Sequence, residues 1–247
     1  MLLVDTASAS TNKEQISART TGLLGMMNFG RDHFFLLDDQ FQLNREGLTV
    51  FLQSHQSQRI FIFGFTFMIW QYLYKPLSAS GIDLSGATVI HGGGWKKLEN
   101  EQVSDAEFRA RLEQALKIKD VRNFYGMVEQ VGSIFMQSSD GYLYTPNFAE
   151  VLIRDPKTWK VAPVGEEGVI QVLSILPLSY PGHSLLTEDL GIEFGEGQSP
   201  EGWNGKRFKI LGRVPKAELR GCSDVLAASA ASAAVASAIH NGGPTPR

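Results

Sequence analysis

The stretch Arg59-Ile60-Phe61-Ile62-Phe63-Gly64 is a continuous apolar run that ends at a glycine. A short run of this kind, rich in β-branched and aromatic residues, predicts a buried strand of a parallel sheet. The segment that follows, Phe65 to Leu77, has helical character until Pro76 and a Ser/Gly cluster end it. A buried strand followed at once by a helix is half of an α/β unit, so this stretch indicates the fold class.

The same alternation of strand and helix continues downstream. Ala87 to Ile90 predicts a second short buried strand, and three glycines follow its carboxyl end. Ser104-Asp105-Ala106-Glu107 is a capping box that begins an amphipathic helix. Val121 to Tyr125 predicts a third strand. We therefore predict an α/β domain with a mostly parallel sheet and assign it to residues 31–133.

After residue 133 the pattern changes to short strands separated by turns such as Asp140-Gly141. This pattern is typical of a smaller antiparallel β subdomain, which we assign to residues 134–224. Residues 1–30 have little pattern, and we expect a weakly ordered segment there. Residues 225–247 form a low-complexity tail rich in Ala and Ser and then in Gly and Pro. The strands predicted in the antiparallel subdomain are Ile134 to Met136, Tyr142 to Tyr144, Ala149 to Ile153, Val169 to Leu176 and Arg207 to Leu211.

Composition argues against several classes of protein. A net charge of −3 over 247 residues, without a basic stripe, argues against a nucleic-acid partner. The apolar stretch Ile60 to Tyr74 is shorter than the roughly 20 residues of a membrane span, and the N-terminus lacks a signal pattern. The single cysteine, Cys222, cannot form an internal disulfide, which suits a reducing compartment. We expect a cytoplasmic protein with no membrane span.

Four short motifs contain the residues that we consider for chemistry. They are His91-Gly92-Gly93-Gly94-Trp95-Lys96-Lys97, Phe124-Tyr125-Gly126-Met127-Val128-Glu129, Thr187-Glu188-Asp189-Leu190-Gly191 and Gly212-Arg213. In this order they resemble the nucleotide-binding motifs of adenylate-forming enzymes. With Cys222 after the last motif, the chain resembles the acyl-protein synthetases of bacterial fatty-acid reductase systems (LuxE type) over about residues 30–225. This resemblance implies part of the large domain of an adenylate-forming enzyme.

The resemblance also implies roles for individual residues around ATP. Tyr125, beside Gly126, would stack on adenine with its flat aromatic face. Glu129 would bind the Mg²⁺ that accompanies the ATP phosphates. Asp189 would accept hydrogen bonds from the ribose hydroxyls, and Arg213 would reach the ribose or the α-phosphate. Val128 stands where the common pattern has threonine, so a polar contact to the acyl-phosphate is not expected here.

The implied reaction has two steps. A fatty or other carboxylic acid reacts with ATP to give an acyl-adenylate, and Cys222 then takes the acyl group as a thioester for delivery to an acyl-reductase partner or another acceptor. Gly92, Gly93 and Gly94 would bring the backbone close to the nucleotide and acyl group, because glycine has no Cβ. His91 would orient or deprotonate a reactant, and a structural histidine with its hydrogen bonds satisfied is the alternative. Free coenzyme A as the acceptor stays an alternative.

Two other functions fit parts of the sequence. The glycine loop also resembles the oxyanion loop of lipase-like hydrolases, but the nearest nucleophile segment, Gly182-His183-Ser184-Leu185-Leu186, lacks the closing glycine of the expected elbow. His240 would be its base, in the low-complexity tail. A phosphate loop with a lysine is not found before the four motifs, so we expect the chain to lack the N-terminal third of the family. A split enzyme completed by an N-terminal fragment, or an inactive remnant that binds a nucleotide or a partner, would explain this.

Overall fold

The structure, a computed structural model, describes residues 1–11, 17–130 and 132–214. The predicted nucleophile Cys222 and the predicted low-complexity tail lie outside the described residues, as does His240. Within the described residues, no helix is long and apolar enough to cross a membrane.

Eleven strands and six short α-helices make up the described part of the chain, together with a π-helical segment at Ile69–Tyr74 and 3₁₀ turns at Lys96–Glu101 and Val128–Gln130. The strands are β1 (Leu2–Thr6), β2 (Phe34–Leu37), β3 (Ile60–Phe65), β4 (Ala87–Gly92), β5 (Asp120–Gly126), β6 (Ile134–Gln137), β7 (Leu143–Tyr144), β8 (Ala149–Arg154), β9 (Glu167–Ser174), β10 (Ser184–Gln198) and β11 (Asn204–Arg213). The helices are α1 (Ser8–Thr11), α2 (Ala18–Met27), α3 (Arg45–Ser54), α4 (Thr66–Met68), α5 (Lys75–Leu77) and α6 (Asp105–Leu116).

All eleven strands belong to one sheet, in the order β2-β1-β3-β4-β5-β6-β7-β11-β10-β9-β8. The first five strands in this order run parallel, in the 2-1-3-4-5 arrangement of doubly wound sheets. The remaining strands pair antiparallel. The predicted α/β fold, with a mostly parallel part and an antiparallel part, is therefore confirmed.

The parallel part is buried because helices cover its apolar strands. Helix α6 buries Phe108, Leu112 and Leu116 in the same core as Ile62 of β3 and Val89 of β4. Ser104 caps this helix, since its side chain accepts a hydrogen bond from the Glu107 amide, as the capping box predicted. The antiparallel part has a separate core, built around Phe135, Val151, Ile170 and Phe208.

The N-terminal segment differs from the prediction. Residues 2–6 form β1, which lies between β2 and β3 and is fully buried, with Leu2, Leu3 and Val4 at 0% exposure. The expectation of a weakly ordered segment over residues 1–30 is therefore wrong for this strand. A five-residue strand buried on both faces has no alternating pattern, so its short apolar run did not stand out.

The helix predicted after β3 is present but is not a uniform α-helix. It begins as α4, widens into the π-helical segment Ile69–Tyr74 and ends as α5. Six consecutive π-helical residues are unusual, and π segments occur frequently at functional sites. This helix starts at the carboxyl end of β3, where the sheet borders the predicted nucleotide site.

Candidate nucleotide-binding site

The predicted site residues come from strands that end at one edge of the parallel part. Phe65 of β3 pairs with Gly92 of β4, and Gly92 pairs with Phe124 of β5. The glycine loop therefore follows β4 at the same edge at which Tyr125 ends β5. Ligands of open α/β sheets bind beyond the carboxyl ends of the strands, so the topology places both motifs where a ligand would bind.

Tyr125, Asp189 and Arg213 form a cluster held by one hydrogen bond and one ion pair. The Tyr125 hydroxyl donates to Oδ2 of Asp189 at 2.7 Å. Arg213 Nε lies 3.8 Å from Oδ1 of the same carboxylate, and an Arg213 guanidinium nitrogen donates to Glu188 at 2.8 Å. The three residues come from separate segments of the sequence, and the structure brings them together.

The strand pairing explains how Asp189 is aimed. Asp189 lies in β10, not in a turn, and it pairs with Arg213 of β11. On the β9 side the register shifts between Leu186 and Leu190. Such irregularities redirect a side chain and are frequent beside active sites. The Thr187 hydroxyl stabilises this register shift, since it accepts a hydrogen bond from the Asp189 amide at 3.1 Å and donates one to the Ile170 carbonyl at 2.8 Å.

The environment of Tyr125 keeps its hydroxyl protonated. Its ring packs against Phe135 and Phe208, with ring centroids 6.1 and 6.4 Å away. Burial, and then the charge of Asp189 and the hydrogen bond to it, raise the pKa of the Tyr125 hydroxyl well above its ordinary value. The hydroxyl is therefore a donor, and it occupies one acceptor position of a carboxylate that has about four. Asp189 is 23% exposed, so its carboxylate keeps acceptor positions for further hydrogen-bond donors.

The glycine loop needs its first two glycines for different reasons. A Cβ at Gly92 would lie 2.6 Å from the ring of Phe124 on the neighbouring strand. Gly93 has φ +75°, in the left-handed region that favours glycine. Gly94 is exposed, and a Cβ there would meet nothing within 4 Å. Gly93 is exposed as well, whereas Gly92 is buried, so the loop leaves the core between Gly92 and Gly93.

His91 is not placed to exchange protons with a substrate. Its ring is 2% exposed and lies against Phe108, with centroids 4.7 Å apart. Burial, followed by the nearby Arg109 charge, lowers the pKa of His91 to about 3, so the imidazole is neutral. The expected role in deprotonation is therefore wrong, because the ring is enclosed by the core. His91 Nδ1 instead contacts the hydroxyl of Thr66 at 2.9 Å.

Glu129 lies in the 3₁₀ turn after β5, and its side chain is exposed. Its backbone carbonyl accepts a hydrogen bond from the Tyr180 hydroxyl, which joins this turn to the segment before β10. Among the described residues, no three His, Cys, Asp or Glu side chains come together as a metal site. Mg²⁺ in nucleotide sites is held by one or two carboxylates with substrate phosphates, so a single exposed carboxylate fits that use.

Two residues of the site were missed at the level of sequence. Thr66 contacts the glycine loop, and Thr187 supports Asp189. Thr66 directly follows a predicted strand whose carboxyl end was expected at the ligand edge, and this position was the available signal. Thr187 is next to Glu188 in a quoted motif, but only the fold shows which backbone groups its hydroxyl bonds.

The hydrolase alternative requires a serine hydroxyl activated by a base. Ser184 begins β10, and its hydroxyl oxygen accepts a hydrogen bond from Gln171 at 2.7 Å. The residue does not lie on a strand-to-helix turn, which a nucleophile elbow requires. The strand geometry around Ser184 therefore does not support this function.

Solved structures of similar fold are adenylate-forming enzymes. A 2-hydroxyisobutyryl-CoA ligase in complex with 2-HIB-AMP and CoA matches with a TM-score of 0.61 and 15% identity, over 87% of this chain and 45% of that one. The o-succinylbenzoate coenzyme A synthetase MenE of Bacillus subtilis, in complex with ATP and magnesium ion, matches with a TM-score of 0.50 and 15% identity, over 79% and 39%. The fold is thus that of the adenylate-forming enzymes.

Sequence comparison identifies the family. The profile of the acyl-protein synthetases, LuxE, matches residues 1–231, so the chain belongs to this family. Long-chain-fatty-acid–luciferin-component ligases of Aliivibrio fischeri and Vibrio harveyi are 26% and 28% identical to it over 165 and 139 residues. These matches cover 64% and 55% of this chain but 42% and 35% of the relatives.

Proposed function

We propose that this chain contributes to the ATP-dependent activation of a fatty or other carboxylic acid as an acyl-adenylate. The observation that carries the proposal is the cluster of Tyr125, Asp189 and Arg213 beside the glycine loop, in a fold of adenylate-forming enzymes. The cluster offers what an adenylate needs: an aromatic ring for the adenine, a carboxylate for the ribose and a cation for the ribose or the α-phosphate.

Each residue has a defined part in the first step. Tyr125 stacks on adenine, Asp189 accepts from the ribose hydroxyls, and Arg213 lies near the ribose or the α-phosphate. Glu129 would hold a Mg²⁺ ion, which would neutralise phosphate charge. The substrate carboxylate attacks the α-phosphorus, and pyrophosphate leaves. Backbone amides of the loop at Gly93 and Gly94 face the reacting acyl group.

In the second step, the thiolate of Cys222 attacks the acyl-adenylate carbonyl, a thioester forms and AMP leaves. This part of the proposal is supported by membership of the acyl-protein synthetase family and by the cationic neighbours Lys216 and Arg220 in sequence, which favour a thiolate. The acyl group would then pass to a partner such as an acyl reductase. A thiol that must stay reduced suits the cytoplasm.

The first experiment is ATP–pyrophosphate exchange by the 247-residue chain with fatty acids of varied length. Exchange above background that depends on the acid is expected, and Asp189→Asn should lower it by roughly tenfold or more, because a charge-assisted hydrogen bond contributes about 1.5–3 kcal/mol. Asp155→Asn is the matched control. Asp155 is a half-buried residue just before the turn that follows β8; its Oδ1 accepts from the amides of Lys157 and Thr158, and asparagine can do the same.

Binding of ATP without exchange would indicate a nucleotide-binding remnant and would contradict the proposed activation. Absence of both binding and exchange would contradict the assignment of the nucleotide site as well. If Asp155→Asn reduced exchange as strongly as Asp189→Asn, the Asp189 assignment would be wrong.

A second experiment tests the thioester. The chain is incubated with ATP and a radiolabelled fatty acid, and the protein-bound label is treated with neutral hydroxylamine, which cleaves thioesters. The label is expected to be hydroxylamine-sensitive and to disappear in Cys222→Ser, while ATP–pyrophosphate exchange persists. Full labelling of Cys222→Ser would exclude this cysteine as the acceptor.

A further inference from the structure

Thr66 begins the helix after β3, and its hydroxyl is the centre of a buried polar network. The side chain is 6% exposed. Its oxygen lies 2.7 Å from the Gly93 carbonyl oxygen, 3.1 Å from that of Gly92 and 2.9 Å from Nδ1 of His91. Three contacts to one buried hydroxyl leave few ways of arranging the hydrogens.

The chemistry of the partners fixes the direction of these hydrogen bonds. Carbonyl oxygens only accept, so the single hydroxyl hydrogen of Thr66 goes to a carbonyl, and Gly93 is the nearer. The contact to His91 must then be donated by the imidazole, which places the hydrogen on Nδ1. His91 Nε2 is left as an acceptor, and this buried atom has no protein partner in the described structure. A buried acceptor without a partner is more readily tolerated than a buried donor without one.

We propose that Thr66 is a positioning residue that holds the glycine loop in place for the nucleotide and acyl group, with neutral His91 as its anchor. The role in catalysis rests on the proposed function, whereas the role in holding the loop stands on the geometry alone. The chain of hydrogen bonds runs from His91 Nδ1–H to the Thr66 hydroxyl and on to the Gly93 carbonyl.

The position of Thr66 on the sheet makes this contact specific. Phe65, the last residue of β3, pairs with Gly92, the last residue of β4. Thr66 and Gly93, which follow directly, are therefore neighbours at the point where both strands end. Gly93 has φ +75°, and a glycine backbone loses more conformational freedom on ordering than any other. Gly92 is buried and Gly93 is already exposed, so the hydrogen bond from Thr66 to the Gly93 carbonyl ties the loop to the core at the point where it leaves it.

The experiment compares Thr66→Val, which removes the hydroxyl at similar size, with Thr66→Ser, which keeps it. Hydrogen–deuterium exchange of residues 92–98 is measured by mass spectrometry. Thr66→Val is expected to exchange roughly three- to tenfold faster in this segment, the effect of losing one hydrogen bond, and Thr66→Ser should stay near the wild type. Thr88→Val is the control. Thr88 lies near the amino end of β4, the strand that leads into the glycine loop, and its hydroxyl donates to Asp120.

A kinetic measurement separates positioning from mere stability. In ATP–pyrophosphate exchange at saturating substrates, Thr66→Val should lower kcat roughly three- to tenfold. Thr66→Ser should restore the wild-type kcat, and Thr88→Val should leave it unchanged. If the wild type shows no exchange, the proposed function fails, while hydrogen–deuterium exchange still decides the role of Thr66. The proposal is overturned if hydrogen–deuterium exchange of residues 92–98 is as slow in Thr66→Val as in the wild type. It is also overturned if exchange of this segment is as fast in Thr66→Ser as in Thr66→Val.

The wild-type protein offers a test that needs no variant, should Thr66→Val not fold. Imidazole ¹⁵N chemical shifts of His91 at pH 7 are expected to show a neutral ring protonated on Nδ1. A ring protonated on Nε2, or a charged ring, would overturn the proposed hydrogen-bond chain.

Discussion

Tyr125 contributes to the site through two parts of one side chain. Its ring packs on Phe135 and Phe208, while its hydroxyl is bonded to Asp189. The two parts are separable by substitution, because phenylalanine keeps the ring and removes only the donor. The residue therefore allows stacking and carboxylate positioning to be measured independently.

We expect Tyr125→Phe to bind ATP within about fivefold of the wild type, because a net hydrogen bond contributes about 1 kcal/mol. Tyr125→Ala should weaken binding by roughly tenfold or more, since aromatic stacking on a base contributes about 1–3 kcal/mol. Isothermal titration with ATP and Mg²⁺ measures both. An alanine variant that bound as tightly as the phenylalanine variant would exclude stacking on this ring.

His91 predicts a pH dependence of stability. Its folded pKa of about 3 lies below the ordinary value of 6.5, so the unfolded chain binds a proton between these values that the folded chain does not. The stabilisation is therefore complete above pH 6.5 and is lost as the pH falls, at up to about 1.4 kcal/mol per pH unit. Between pH 6.5 and pH 5, protonation linked to His91 should lower the free energy of unfolding of the wild type by about 1.5 kcal/mol, as measured by urea unfolding.

The matched variant is His91→Asn, which keeps a polar side chain and does not titrate. Its free energy of unfolding should fall less than that of the wild type between the two pH values, by the amount assigned to His91. An identical fall in both proteins would contradict a buried neutral histidine at this position.

The glycine loop shows how an element can depend on its neighbour in the sheet. Gly92 lies against the Phe124 ring, which also packs near Phe63, with centroids 6.3 Å apart. An added methyl group would have to displace a stiff ring. Gly94, two residues later, has open space around it.

We therefore expect Gly92→Ala to lower the free energy of unfolding by about 1–3 kcal/mol, the usual cost of overpacking. Gly94→Ala should change it by less than about 0.5 kcal/mol, as for exposed positions. Thermal or urea unfolding compares the two. Equal stability of both variants would mean that Phe124 yields without cost and that close packing does not explain the glycine.

Element prediction succeeded where the local pattern was complete. The capping box at Ser104 and the apolar run before Gly64 were sufficient, because a helix cap and a buried strand are determined by adjacent residues. Strand β10 was missed, since Glu188 and Asp189 interrupt its apolar pattern. Because the register with β9 is irregular here, apolar and polar residues do not alternate strictly along β10. The same irregularity sets the direction of the Asp189 side chain.

At the scale of the whole molecule, Glu201 connects the two parts of the sheet. It lies in the turn between β10 and β11, and it accepts from Arg122 of β5 at 2.7 Å and from the Ser139 amide at 3.0 Å. The Ser138 hydroxyl donates to it as well. Burial alone would raise the pKa of Glu201, but the hydrogen bonds from Ser138, Arg122 and Ser139 outweigh it and lower the pKa.

Glu201→Gln should lower the free energy of unfolding at pH 7 by about 1 kcal/mol, because the charged acceptor of these donors is lost. The folded pKa is lowered, so the stabilisation is present at neutral pH and disappears as the pH falls below the ordinary range of a carboxyl group. Urea unfolding at pH 7 and at pH 4 should show the two proteins converging at the lower pH. Glu166→Gln, in an exposed turn, is the control and should match the wild type at both values.

The sequence by itself determined the fold class, the family and the order of the nucleotide motifs, because apolar periodicity, caps and short motifs are local properties of the chain. Only the tertiary structure decided which side chains meet. It placed residues 2–6 inside the parallel part, between β2 and β3, joined Tyr125 to Asp189 across 64 positions and buried His91 in contact with Thr66. Burial and strand register depend on residues distant in sequence, so only the fold shows that His91 is enclosed in the core and excluded from proton transfer.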